Sequence, residues 1–271
     1  MKLKNFFNFL KKGGARGARE NQADFVERFG PASSGRYKYL FVINSPHAGA
    51  RLFYNILYSS VDVATFMNSG DTTVGQGLFV RNFHDLYPRR PVMPEVLDNL
   101  TTVGYEMDWR RIRQVFHDHW EQRKVFCDRG GLYLHHGKAV ENYFSNYGDV
   151  YFIIQVRDPY NCESLDVREW VKGAQRLKWY ATHLHNKLVL RYEDLVKKPE
   201  GIKKQLVKFL PELETVDVYT SQSVRLNTCN RYKSYSQLTT RFLDVKDKEV
   251  KNEVLKDHVE LLEFFGYKFL G

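Results

Sequence analysis

Four stretches of the chain place groups able to handle an anion directly after a short apolar run. The first is Asn44 to Gly49, carrying Ser45, Pro46, His47 and Gly49 after Tyr39-Leu40-Phe41-Val42-Ile43. The others are Asp128-Arg129-Gly130-Gly131, Arg157-Asp158-Pro159 and Arg191-Tyr192-Glu193-Asp194. A loop that feeds a helix aims several backbone N–H groups at one point, which suits a phosphate. An arginine at a strand end can fork onto a second phosphate. For Arg157 the structural alternative is a salt bridge to Glu193 or Asp194. His47 can donate to an anion if its pKa is raised beside the bound charge. Proton acceptors lie close to the second stretch in Asp128, His135 and His136, and Asp71, His84 and Glu106 are further candidates. A late run, Arg225, Asn227, Asn230, Arg231, Tyr232 and Lys233, is polar and basic, as a solvated loop is.

These groups need elements to hold them. Tyr37 to Leu57 reads as buried strand, tight loop and helix, because Leu52, Phe53, Ile56 and Leu57 recur at helical spacing after the loop. Asp62–Met67 reads as a second strand. Trp109–Gln122 reads as a helix with Trp109, Ile112, Phe116 and Trp120 on one face. Lys124–Cys127, Asp149–Val156 and Lys187–Leu190 read as strands. Tyr133–Tyr147, Cys162–Leu184, Glu200–Leu210 behind Pro199, and Lys248–Phe265 before Gly266 read as helices. Trp170 and Trp179 fall among apolar residues and read, with Trp109 and Trp120, as core. Alternating strands and helices predict an α/β fold, a mainly parallel sheet with helices on both faces in a P-loop-like three-layer sandwich. In such sheets ligands bind at the carboxyl ends of strands. Residues 68–108 show no periodicity and are expected to form the acceptor edge.

Composition narrows the classes. The 271 residues, 27% charged and 43% hydrophobic, fit a soluble globular chain. The net charge of +9 is partly local, since Lys2, Lys4, Lys11, Lys12, Arg16 and Arg19 precede the first acid, Glu20. Residues 1–36 read as a basic tail and linker with a short helix near Asp24–Phe29, and 37–271 as one α/β domain. The apolar run around Phe6 and Leu10 is too short to span a bilayer, though it suits weak contact with a membrane surface. Nucleic acid is not expected; a polyanionic ligand or acidic acceptor fits the charge equally. Cys127, Cys162 and Cys229 are sparse and odd in number, which points to a reducing, cytoplasmic setting without zinc or disulfides.

The order of these motifs resembles the sulfotransferase superfamily, which uses 3′-phosphoadenosine 5′-phosphosulfate. The resemblance spans about residues 38–270. Three segments carry it: the loop Ser45–Arg51; Val156-Arg157-Asp158-Pro159 with Ser164 downstream; and Leu190-Arg191-Tyr192-Glu193-Asp194-Leu195 with Pro199 and Phe209-Leu210. Phe264-Phe265-Gly266-Tyr267 adds to it. It implies that Pro46, Ala48, Gly49, Ala50, Arg51 and Leu52 hold the 5′-phosphosulfate. It further implies that Arg157 and Ser164 hold the 3′-phosphate and that Arg225, Tyr232 and Lys233 close over it. His47, Arg51 and Arg129 would stabilise charge, and Asp128 or His136 would act as base. The loop departs from the family at His47, where Lys or Arg is usual, and at Ala48, Ala50 and Arg51, where hydroxyls are usual. The Arg157-to-Ser164 spacing is one residue shorter than is common.

The resemblance implies transfer of a sulfuryl group to an acceptor hydroxyl, with carbohydrates as one acceptor class, without a metal. The sequence has no Gly-x-x-x-x-Gly-Lys-Ser/Thr, so an ordinary triphosphatase lacks its lysine and magnesium hydroxyl. Two alternatives stand beside it: an atypical P-loop phosphotransferase, and a non-catalytic nucleotide or polyanion binder on a decayed sulfotransferase fold.

Overall fold

The computed structural model describes residues 36–45, 48–65, 109–118, 120, 122–130, 133–161, 166–219, 225–226, 231–232 and 245–271. The central strand β1 is Tyr37–Asn44. Its neighbours are β3 (Val125–Arg129) on one side and β4 (Gly148–Val156) on the other, with β2 (Val63–Thr65) and β5 (Lys187–Arg191) outermost. The strand order is β2-β3-β1-β4-β5, and every pair is parallel. A parallel strand covered on both faces is apolar through its covered middle. β1 follows this pattern: Tyr37, Tyr39, Phe41 and Ile43 enter one buried cluster, and Leu40 and Val42 the other.

Helices α1 (Ala50–Tyr58), α5 (Tyr192–Lys197) and α6 (Pro199–Phe209) cover the second face. The first face carries α2 (Trp109–Asp118), α3 (Tyr133–Phe144), α4 (Val167–His183), α7 (Val245–Leu255) and α8 (Val259–Phe264). The expected α/β architecture with a parallel sheet is the observed one. A two-stranded antiparallel ladder, β6 (Arg225–Leu226) with β7 (Arg231–Tyr232), lies within the late basic run.

Several boundaries differ from the sequence reading. β3 runs on through Asp128 and Arg129, because Phe41 and Val42 of β1 continue to pair with them. α4 starts at Val167, where Asp166 accepts a hydrogen bond from the Arg168 N–H and caps the helix. The single helix expected over Lys248–Phe265 is two. A 3₁₀ turn, Lys256–His258, separates α7 from α8. That tighter winding rotates the apolar stripe, so that Leu255 and the pair Leu261 and Leu262 all reach the core. Trp179 is 44% exposed and stacks on His183, so it is not a core residue. The short helix near Asp24–Phe29 and the acceptor edge 68–108 lie outside the described residues.

Candidate anion-binding site at the strand ends

The loop after β1 turns into α1 at Gly49, whose φ of 77° lies in the left-handed region. Glycine takes this conformation without a Cβ penalty. A second constraint acts on the same atom. A Cβ at residue 49 would sit 2.4 Å from Cδ2 of Tyr192. Gly49 caps α1 with no side-chain hydrogen bond, and its carbonyl accepts from Phe53 N–H at 3.3 Å. The N–H groups of Ala50, Arg51 and Leu52 belong to the first turn, which has no intrahelical acceptors. Ala48 differs, because its N–H is spent on the Ser45 carbonyl at 3.2 Å.

Tyr192, the first residue of α5, joins this loop to the end of β4. The Arg157 guanidinium lies 4.3 Å from the centre of the same ring that abuts Gly49. Such stacking fixes the fork of an arginine while leaving its edge directed elsewhere. Arg157 Nη2 donates to the Asn161 carbonyl at 2.7 Å, and Trp170 Nε1 donates to the Arg157 carbonyl at 2.8 Å. On the other flank of β1, Arg129 lies 5.4 Å from the centre of the Tyr54 ring on α1. Two arginines on the α1 face thus bracket the first loop, one from each strand beside β1. The Ser45 hydroxyl and both amide atoms of Gln155 are fully buried at these strand ends and have no hydrogen-bond partner among the described residues. Buried polar groups of this kind are uncommon and mark places where a ligand or water completes the bonding.

The carboxylates offered as structural partners for Arg157 are engaged elsewhere. Arg191 forks onto Asp194 at 2.7 and 3.0 Å, which raises the arginine pKa. Glu193 accepts the Asp158 N–H at 3.0 Å through Oε1 and the Tyr267 O–H at 3.0 Å through Oε2. Burial pushes the Asp158 carboxyl up to about 6; the hydrogen bond from the Tyr160 N–H opposes it, and the nearby Glu193 adds a lesser upward push.

The fold has a counterpart among solved structures. The sulfotransferase domain of the olefin synthase from Synechococcus PCC 7002 superposes with a TM-score of 0.51 at 15% identity, covering 95% of this chain and 99% of that one. The chain has a sulfotransferase fold. A sulfotransferase domain from the curacin biosynthetic pathway is also similar (TM-score 0.49, 16% identity, 86% of this chain and 98% of that one), and the fold assignment rests on the first. No protein-family model and no curated protein sequence matches the chain.

Within the sulfotransferase fold the anticipated residues divide. Gly49, the α1 amides, Arg129 and Arg157 gather at the carboxyl ends of β1, β3 and β4. Asp128 belongs to the same end but projects to the opposite face of the sheet. It is fully buried, and its Oδ2 accepts the Tyr133 O–H at 2.6 Å. Burial and Asp128 raise the Tyr133 pKa well above its ordinary value, so that hydroxyl stays a donor. His136, one residue beyond His135 on α3, lies edge-on to Trp109 of α2 at 6.1 Å, and burial lowers its pKa. His135 instead meets Arg176 of α4, Nδ1 to Nη1 at 2.6 Å. Pro46, His47, Ser164 and Lys233 lie outside the described residues, as do the side chains of Arg51, Arg225 and Tyr232. Sequence reasoning missed Tyr192, Tyr133 and Gln155. Tyr192 stood inside a motif that was read for its charges, and its ring could be noticed only through Gly49.

Among the described residues no helix is long and apolar enough to cross a membrane, and no group of three acidic, histidine or cysteine side chains could hold a metal.

Proposed function

We propose that this chain is a sulfotransferase that moves a sulfuryl group from 3′-phosphoadenosine 5′-phosphosulfate to an acceptor hydroxyl, with carbohydrates as the first acceptor class to try. One observation carries the reading. The Tyr192 ring abuts Gly49 of the first loop and stacks on Arg157, so two anion-holding elements share one support. A donor with a phosphosulfate at one end and a phosphate at the other needs two such elements. The amides of Ala50, Arg51 and Leu52 would hold the phosphosulfate, with Gln155 and Ser45 beneath. Arg157, with Ser164, would take the 3′-phosphate, and Arg225, Tyr232 and Lys233 would cover it.

In the reaction the acceptor oxygen bonds to sulfur as the bond from sulfur to the phosphate oxygen breaks. The acceptor loses its proton, and adenosine 3′,5′-bisphosphate leaves with the negative charge. The α1 amides and Arg129 stabilise that charge, because fixed dipoles and cations cost no reorganisation as it develops. His47 donates to the departing oxygen. A base takes the acceptor proton; of the two anticipated, Asp128 is buried against Tyr133 on the opposite face of the sheet from the α1 amides, which leaves His136, kept neutral by burial.

The test compares thermal shifts with adenosine 3′,5′-bisphosphate and with ATP plus magnesium, followed by transfer of labelled sulfate to an acceptor panel in EDTA. Stabilisation by the bisphosphate alone and metal-independent transfer are expected. Magnesium-dependent turnover of ATP would replace this reading with phosphoryl transfer. Binding without transfer to any acceptor would favour the non-catalytic reading. That reading draws on Ala48 and Ala50, which put buried methyl groups in the loop where hydroxyls are usual in the family.

A further inference from the structure

Arg157 can serve a phosphate only if the short turn after β4 holds its shape. That turn, Arg157 to Asn161, owes much of its bonding to one carboxylate from a different element. Glu193 Oε1 accepts the Asp158 N–H at 3.0 Å and the Asn161 side-chain amide at 3.4 Å. Asn161 in turn presents the carbonyl that receives Arg157 Nη2. The other oxygen of Glu193 is held by the Tyr267 hydroxyl. Burial and Glu193 raise the Tyr267 pKa, so this hydroxyl remains a donor.

Tyr267 is itself delivered by a defined turn. Gly266, at φ 73°, follows α8, with its N–H on the Glu263 carbonyl and the Tyr267 N–H on the Leu262 carbonyl, the two bonds of a Schellman motif. The Gly266 carbonyl also accepts from Arg191 Nη1 at 3.0 Å. The same segment grips the turn a second time, because Leu270 N–H reaches the Tyr160 hydroxyl at 3.4 Å. From α7, Lys251 Nζ donates to the Pro159 carbonyl at 3.0 Å, and Asn252 accepts the Tyr160 O–H at 2.6 Å.

We propose that Glu193, held by Tyr267, is a positioning residue that aims Arg157 at the second phosphate of the nucleotide. Glu193 touches neither ligand nor reacting atoms in this role; it acts through the Arg157–Asn161 turn. The inference rests on the proposed function, since it takes Arg157 to be the 3′-phosphate ligand.

Calorimetry with adenosine 3′,5′-bisphosphate and adenosine 5′-monophosphate tests it on the full chain. Glu193→Ala is expected to weaken the bisphosphate about tenfold and Tyr267→Phe about threefold, with the monophosphate changed less than twofold by either. In an Arg157→Ala background, Tyr267→Phe should have no further effect on the bisphosphate. Equal losses for both ligands, or additive losses in the double variant, would show a general structural role and overturn the inference. Should Glu193→Ala fail to fold, Tyr267→Phe and the double variant decide alone. If the unaltered protein does not prefer the bisphosphate, the proposed function falls, and this inference with it. If it does prefer it and the variants behave as the parent does, only the inference falls.

Discussion

A side chain at residue 49 meets two obstacles at once. The backbone there is left-handed, which costs an ordinary residue about 1–2 kcal/mol, and the added Cβ would enter the Tyr192 ring. Gly49→Ala is therefore expected to destabilise the protein by about 2–4 kcal/mol in urea denaturation and to weaken bisphosphate binding by displacing Tyr192 from under Arg157. Gly201→Ala is the control. That glycine lies in α6 with φ in the ordinary range, and its added Cβ would find its nearest neighbour, Lys198 Cβ, at 3.7 Å. Alanine there should stabilise by about 0.5–1 kcal/mol. A Gly49→Ala protein as stable as its parent would refute the steric account. Removing the Arg157 guanidinium takes away a charge-assisted contact, so Arg157→Ala should cost about 1.5–3 kcal/mol in bisphosphate affinity by calorimetry. Unchanged affinity would remove Arg157 from the site.

Among the helices, α2 shows what hydropathy conceals. Its apolar residues Ile112 and Phe116 were legible at helical spacing and are buried as read. Arg113 and His117 sit one turn apart on the same helix and count as polar, yet both are buried. Arg113 achieves this by lying 3.5 Å from the centre of the Tyr147 ring. His117 stacks on Trp120 at 4.8 Å and bonds the Tyr39 hydroxyl at 2.8 Å. Burial, aided by Arg113, pushes the His117 pKa down to about 3. The unfolded chain protonates this histidine near pH 6.5 and the folded chain does not, so the stability it contributes is present above 6.5 and drains away as pH falls toward 3. Asp158, shifted upward, works in the opposite direction between its ordinary value and about 6. That contribution is common to both proteins in a comparison with His117→Gln, which keeps an acceptor for Tyr39. Between pH 6.5 and 4.5 the parent should lose about 2 kcal/mol more than the variant, read from urea midpoints. Parallel losses would contradict the assignment of a neutral buried imidazole.

Across the whole molecule, chain order and spatial order differ, and the site exists because of that difference. β1 lies between β3 and β4, so the first loop has Arg129 on one flank and Arg157 on the other although the two are far apart in sequence. The strand ends were legible, since apolar runs stop sharply at Ser45, Asp128, Arg157 and Arg191. Which ends would meet was not, because register and strand order depend on packing that no local pattern encodes. Arg191 shows the consequence: it too ends an apolar run, yet its fork is taken by Asp194. Two cations around one loop imply a positive local potential. Raising salt from 0.05 to 0.5 M should weaken bisphosphate binding about three- to tenfold, and more than it weakens the monophosphate. Indifference to salt would mean that the arginines do not face the ligand. The Tyr267–Glu193 bond, which ties segments 74 residues apart, bears on motion as well as on geometry. If the α8 segment must be docked for Arg157 to be aimed, an opening that releases α8 also releases the nucleotide. Bound nucleotide then suppresses that opening by mass action, and amide hydrogen exchange over residues 259–267 slows on adding it, at a distance from any atom it touches.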